Sequence, residues 1–70
     1  MAVFRKAYLI KYIPTMGESG FVSDVDWKNG KFNYNSPHGD NMEFTPSERD
    51  RFLLMFPHLQ FASFPIDVPV

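Results

Sequence analysis

The chain has 70 residues, no cysteine and a formal net charge of −1. This length makes a single domain of residues 1–70, the missing cysteines exclude a disulfide scaffold, and the balanced charge is unlike the basic surface of a dedicated duplex-binding domain. Eight Phe, three Tyr and one Trp bury enough area to build a small core without a structural metal.

The first predicted element is a strand over residues 3–13, which are rich in β-branched and aromatic types and end at Pro14. Apolar side chains fall on both of its faces, which is typical of a strand that is covered on both sides. Residues 14–20 contain Gly17 and Gly20 and predict a loop.

A hairpin is predicted next, because Asn29-Gly30 separates residues 21–28 from residues 31–35 and is the strongest two-residue hairpin signal. A two-residue turn at this position predicts the cross-strand pairs Lys28–Lys31, Trp27–Phe32, Asp26–Asn33 and Val25–Tyr34. Period-two alternation then places the aromatic side chains, with Phe21, on a core face and the charged ones on the other face, with Val22 as the exception.

A single helix is predicted after a loop over residues 36–44. Thr45 is the N-cap, Pro46 takes the first helical position and Glu48 completes a capping box. Pro57 ends the helix. The side chains that we expect to face the core are Phe52, Leu53 and Phe56.

Residues 58–64 predict a last strand, and the apolar positions that follow alternate in the opposite phase, which indicates a bulge near Ala62-Ser63. Pro65 and Pro69 confine this stretch to a sheet edge or an extended tail. The predicted fold is therefore a small α+β domain. Its antiparallel sheet follows a β-β-β-α-β order, with one short helix packed on one face.

The clusters of polar residues lack the signature of an enzyme. Residues 17–20 have the G-x-x-G pattern of some RNA-binding clamps, but they join two strands and carry Glu18 instead of a basic residue. His38 and Asp40, with the distant His58, lack the close spacing of a typical metal site. We expect no enzymatic activity, no metal, no cofactor and no small-molecule substrate.

A pair of carboxylates, Asp24 and Asp26, projects from one face of the predicted hairpin, as general acid–base catalysis would need. Lys28 and Lys31 share that face. Mixed charges of this kind are typical of a solvated surface, so the pair does not change the expectation.

A surplus of apolar residues is the main functional signal, because one short helix covers only one face of a four-stranded sheet. Either the C-terminal stretch folds over the second face of the sheet, or another protein covers that face. That protein is a second copy in a homodimer or a different chain. We predict a protein-interaction or regulatory accessory module whose partner-binding residues are Leu9, Ile13, Val22, Phe64, Ile66 and Val68.

The alternative is a module that binds single-stranded nucleic acid, because basic and aromatic residues alternate in the hairpin. The residues that would serve it are Lys28, Lys31, Tyr8, Tyr12 and Tyr34. The predicted register argues against this alternative, since the lysines point away from the aromatic face.

The apolar run near the N-terminus is interrupted by Arg5, Lys6 and Lys11, unlike a signal peptide. The apolar runs are also shorter than the ~18 residues of a membrane span. Since the chain lacks cysteine, it suits a reducing compartment, and we expect a soluble cytoplasmic protein.

Overall fold

The computed structural model describes residues 2–70, which form a four-stranded antiparallel sheet and one helix. The elements are β1 (Phe4–Tyr12), β2 (Gly20–Asp26), β3 (Lys31–Tyr34), α1 (Pro46–Met55) and β4 (Phe61–Pro69). The strands lie in the order β3-β2-β1-β4. The predicted α+β class and the β-β-β-α-β order are confirmed.

The core lies between α1 and one face of the sheet, which we call the inner face; the opposite side is the outer face. Fully or almost fully buried side chains from the strands, the helix and the segment before the helix meet there: Ile10, Val22, Val25, Phe44 and Phe52. Partly buried aromatic side chains surround them, among them Tyr8, Trp27, Phe32, Phe56 and Phe61. The abundant aromatic residues thus fill the core, as the composition indicates.

The β2–β3 hairpin closes through a four-residue turn over residues 27–30, so the predicted two-residue turn was wrong. The Asp26 carboxylate accepts hydrogen bonds from the Asn29 backbone N–H at 3.2 Å and from the Asn29 side-chain amide at 2.7 Å. The Gly30 N–H donates to the Asp26 carbonyl at 2.9 Å. These bonds hold Asn29 within the turn and move the first paired residue back to Asp26.

The observed pairs differ from the predicted register by two residues: Asp26↔Lys31, Val25↔Phe32 and Asp24↔Asn33. Lys31 therefore faces a carboxylate instead of Lys28, and this opposite-charge pair is the more favourable one. Trp27 leaves the strand and packs edge-on against Phe52 at a centroid distance of 6.4 Å. Because the register differs by an even number of residues, each side chain keeps its face, and Val25 and Phe32 still point inward as predicted.

The register of β2 shifts between Val22 and Asp24, which leaves Ser23 as an extra residue. A bulge of this kind reverses the alternation on one side of it. Val22 therefore points to the inner face, opposite Tyr34, and is 0% exposed. Phe21 points to the outer face, where its ring lies 5.9 Å from that of Phe64. The predicted faces of Val22 and Phe21 were both wrong.

β4 runs beside β1 in an unbroken register from Tyr12↔Phe61 to Phe4↔Pro69. The predicted bulge near Ala62-Ser63 was therefore wrong, and the strand starts at Phe61 instead of His58. Phe61 points inward and Phe64 outward, so the change of phase in the sequence reflects the two faces of one regular strand.

Pro65 and Pro69 lie on an edge strand, as predicted, and the register explains why β1 tolerates them. Tyr8, which is opposite Pro65, exchanges both of its backbone hydrogen bonds with Phe44 on the other side of β1, each at 2.8 Å. Because the backbone groups of alternate residues in a strand point to the same side, Phe4, opposite Pro69, also directs its N–H and C=O away from β4. Both prolines therefore lie where β1 requires no N–H donor from β4, and their ring nitrogens face the outer edge.

The segment before the helix closes the gap where β2 diverges from β1. The pairing of these two strands is short and covers Lys11↔Phe21 and Tyr12↔Gly20. Beyond it, Met42 donates its N–H to the Val22 carbonyl at 3.0 Å, and Phe44 forms a bridge with Tyr8. Residues 42–44 of the predicted loop therefore lie between the two strands and place Phe44 in the core.

The predicted capping box of α1 is confirmed. Thr45 Oγ1 accepts from the Glu48 N–H at 3.2 Å, and Glu48 Oε1 accepts from the Thr45 N–H at 2.9 Å. Pro46 occupies the first helical position, and Phe56, which precedes Pro57, forms the C-cap with φ −128°. A helix of ten residues is too short to be stable alone, so the cap and the packing of Phe52 define where it forms.

Replacing Thr45 with alanine is expected to lower the free energy of unfolding by about 1 kcal/mol, because it leaves the Glu48 N–H without its side-chain acceptor. Urea titration followed by circular dichroism measures the change. Ser47→Ala, an exposed position in the same helical turn, is the matched control and is expected to shift stability by less than about 0.5 kcal/mol. Equal losses in the two variants would contradict the role of the cap.

Candidate interaction surface

The outer face is the candidate site, because α1 packs on the inner face and no helix of residues 2–70 covers the outer one. Its centre is a group of partly exposed apolar side chains from β1, β2 and β4, which we call the outer apolar patch: Leu9, Phe21, Phe64, Ile66 and Val68. Contiguous apolar surface of this kind marks sites that bind other proteins.

The register of β4 on β1 assembles most of this patch. Leu9 lies directly opposite Phe64, while Ile66 and Val68 follow at the next two positions on the same face, opposite Ala7 and Arg5. Phe64 is 44% exposed, although it packs edge-on against Phe21. An aromatic ring that remains this accessible after folding is available for contact with a partner.

Sequence reasoning found four members of the patch, namely Leu9, Phe64, Ile66 and Val68. It included Val22 wrongly, because Val22 lies in the core. It missed Phe21, because the bulge at Ser23 has no mark in the sequence that period-two alternation would detect. The interpretation that the C-terminal stretch folds over the outer face was also wrong: the stretch forms β4 and enlarges that face.

Ile13 lies one residue beyond β1, where its N–H donates to the Gln60 carbonyl at 2.9 Å. It helps to line a shallow cavity of about 180 Å³, together with Tyr12, Pro14, Thr15, His58, Leu59 and Gln60. Small-molecule sites usually occupy roughly 300–1,000 Å³. This cavity is therefore too small to act as a typical ligand pocket.

Charged side chains lie beside the patch on the outer face. On β1, Arg5 and Lys11 flank the apolar pair Ala7 and Leu9, and Lys11 Nζ lies 5.9 Å from the centre of the Phe21 ring. Asp24 and Asp26 lie along β2, on the same face, because Val25 between them points inward. The outer face thus carries two cations on β1, two carboxylates on β2 and a further cation, Lys31, at the start of β3.

The two carboxylates of β2 have different surroundings. The hydrogen bonds from Asn29 hold the pKa of Asp26 below its usual value, so Asp26 stabilises the turn at neutral pH. That contribution is lost as the pH falls through the lowered pKa. Asp24 is exposed, and its backbone pairs with that of Asn33. Both carboxylates are therefore exposed on the outer face, and the hydrogen bonds from Asn29 fix the orientation of Asp26.

Comparison with known proteins finds no relative. No family model matches the chain, and searches of curated proteins and of solved structures give no significant match.

The tyrosines of the nucleic-acid alternative lie on the inner side of the sheet. The Arg49 guanidinium covers the ring of Tyr8 at 4.2 Å. Tyr12 packs against Tyr34 at 4.8 Å and Phe32 at 5.2 Å, and Tyr34 is 37% exposed. These rings pack against other side chains, whereas a base-stacking platform needs open ring faces.

The two lysines of that alternative are exposed, Lys28 within the turn and Lys31 at the start of β3. Lys31 lies on the outer face beside Asp26, whereas the three tyrosines lie on the inner side. The structure therefore does not bring the predicted lysines and tyrosines together on one surface.

The side chains suggested for metal binding or catalysis are not assembled into a cluster. Within residues 2–70 no group of three or more His, Asp or Glu side chains is placed to hold a metal ion. No helix in that range has the length and the apolar character needed to cross a membrane. What the described residues do assemble is an apolar face of a sheet with charges of both signs beside it.

Proposed function

We propose that this chain is a non-enzymatic interaction module, acting as an accessory or regulatory protein, that binds a protein through its outer face. The observation that carries the proposal is the outer apolar patch, which β1, β2 and β4 build together and which no helix of residues 2–70 covers. Its apolar centre, flanked by charged side chains, has the composition of a protein-binding surface.

The shape of the site supports a protein partner over a small molecule. The face of a sheet is broad and shallow, whereas sites for small molecules are concave and enclose most of the ligand. The strongest anchor is Phe64, because large aromatic side chains near the centre of an interface contribute most to its binding energy. We also infer a cytoplasmic location, since a chain without cysteine suits a reducing compartment.

Site-specific photo-crosslinking in cells of the source organism tests this proposal. Phe64 is replaced with benzoylphenylalanine, and the matched control carries the same residue at Leu54, an 80% exposed position on the helix. We expect irradiation to give a discrete protein adduct from position 64 and none from position 54. Equal labelling from the two positions, or the absence of an adduct from position 64, would contradict the proposal.

A further inference from the structure

We infer that Asn29 is a covalent modification site, which loses its side-chain amide by spontaneous deamidation when the turn between β2 and β3 opens. Asn29 is exposed and is followed by Gly30. The three other asparagines precede Tyr34, Ser36 and Met42. Because glycine has no Cβ, its backbone nitrogen is the least hindered nucleophile that can follow an asparagine.

The reaction consumes water and releases the amide nitrogen. The Gly30 nitrogen gives up its proton to solvent and bonds to Cγ of Asn29, while the side-chain nitrogen leaves as ammonia and a five-membered succinimide ring closes. Water then opens this ring at either of its two carbonyl carbons. Opening at one carbon gives aspartate, and opening at the other gives isoaspartate, in which the main chain runs through the side-chain carbon. At neutral pH a neutral amide has become a carboxylate, and the ammonia has taken up a proton.

The hydrogen bonds of the closed turn oppose the first step. The attacking group, the Gly30 N–H, already donates to the Asp26 carbonyl at 2.9 Å. The Asn29 side-chain amide donates to Asp26 Oδ2 at 2.7 Å, and the Asn29 backbone N–H donates to Asp26 Oδ1 at 3.2 Å. These bonds tie Asn29 to a residue three positions earlier, whereas the reaction brings its Cγ to the nitrogen of the following residue. Deamidation therefore requires local opening of the turn, and the carboxylate of Asp26 opposes that opening.

Deamidation weakens the turn once it has occurred. The amide that donated to Asp26 Oδ2 is replaced by a carboxylate, so a hydrogen bond becomes a contact between two negative charges. Isoaspartate also adds one atom to the main chain of the turn. The modification thus removes the bond that protects residue 29, and it loosens the turn that sets the register of β3 against β2.

Incubation of the purified chain at neutral pH, followed by peptide mass spectrometry, tests the site. We expect aspartate and isoaspartate to form at position 29 faster in urea than in the folded chain. In the folded state Asp26→Ala is expected to speed the loss of the amide roughly threefold to tenfold, because it removes both acceptors of the Asn29 hydrogen bonds. The matched control is Asp24→Ala, which removes an exposed carboxylate two residues away on the same face and is expected to leave the rate unchanged. Equal rates in urea and in the folded chain, or no isoaspartate in urea, would overturn the inference.

Thr45→Ala separates local opening from unfolding of the whole chain. It removes a hydrogen bond at the start of α1 and leaves the hydrogen bonds of the turn in place. We expect Asn29 in this variant to react at the rate of the unmodified chain. If Thr45→Ala accelerates the reaction as much as Asp26→Ala does, unfolding of the whole chain exposes Asn29, and the protective role of Asp26 is overturned.

The effect of the product on the turn is tested with Asn29→Asp, which introduces the aspartate directly. We expect this substitution to lower the urea midpoint of the unmodified chain and to have a smaller effect in the Asp26→Ala background, where the facing carboxylate is absent. An equal shift in both backgrounds would show that repulsion from Asp26 does not weaken the turn.

Discussion

Replacing Phe52 with alanine is expected to unfold the protein. The Phe52 side chain is fully buried, and its ring lies 5.0–6.4 Å from the rings of its neighbours Trp27, Phe32, Phe44, Phe56 and Phe61. A buried Phe→Ala change costs about 3–5 kcal/mol. A core in a chain of this length supplies no more than about 3–5 kcal/mol of net stability, so little remains.

Near-UV circular dichroism and the fluorescence of Trp27 measure this loss. Phe52→Leu keeps most of the volume and is expected to fold with a free energy of unfolding lower by about 1–1.5 kcal/mol. The control Leu54→Ala, at the exposed surface of the same helix, is expected to change stability by less than about 0.5 kcal/mol. If Phe52→Ala unfolds cooperatively and loses no more free energy of unfolding than Leu54→Ala, Phe52 is not the central residue of the core.

Replacing Gly20 with alanine is expected to lower the free energy of unfolding by about 1–3 kcal/mol, measured by urea titration. A Cβ atom at Gly20 would lie 2.5 Å from the Cβ of Asn35 and 2.9 Å from its Cα, which is closer than atoms approach without a shift of the backbone. The residue is buried at the start of β2, and the N–H of Asn35 donates to the carbonyl of the adjacent Phe21 at 3.0 Å. The alanine therefore separates β2 from the segment after β3.

Asn35→Gly provides the matched test of that cause. Asn35 has a φ of +56°, which glycine adopts freely, and its Cβ is the nearest atom in the clash. We expect Gly20→Ala to cost less in the Asn35→Gly background than in the unmodified chain, although the contact with the Cα remains. The same cost in both backgrounds would show that the loss has another origin.

Local signals in the sequence predicted the two ends of the helix well, but Leu53, which was expected to face the core, is 37% exposed. Thr45 and Glu48 define the first turn of the helix through two hydrogen bonds that span three residues, and Pro46 fixes the backbone at the first helical position. Pro57 acts on the residue directly before it. No distant part of the chain decides these features. The edge position of β4 also agrees with a simple rule, because Pro65 and Pro69 are poorly tolerated in a central strand, although the sequence left open which strand β4 would join.

The errors occurred where two local preferences compete or where a single residue breaks a period. Asn29-Gly30 favours a two-residue turn, but the carboxylate of Asp26 captures the Asn29 amide and forms a longer one. Ser23 is an extra residue in β2, so Val22 and Phe21 exchange faces. Neither outcome is visible in the alternation of apolar residues, which assumes a regular strand.

The candidate site was predicted in part for the same reason. Leu9, Phe64, Ile66 and Val68 follow from the regular alternation of β1 and β4, and these strands contain no irregularity in their shared register. Phe21 is placed on the outer face by the bulge at Ser23, which the sequence pattern does not reveal. The path of the C-terminal stretch depends on its pairing with the distant strand β1, which no local pattern specifies.

The pairing of β1 with β4 also has a consequence for synthesis on the ribosome. Phe4 pairs with Pro69 and Tyr12 with Phe61, so β1 lacks its neighbour on that side until residues 61–69 have emerged from the ribosome. The nascent chain therefore carries β1 without β4 while β2, β3 and α1 are translated. Leu9 and Phe64 can meet only after that, so the outer apolar patch is completed later than the core beneath it.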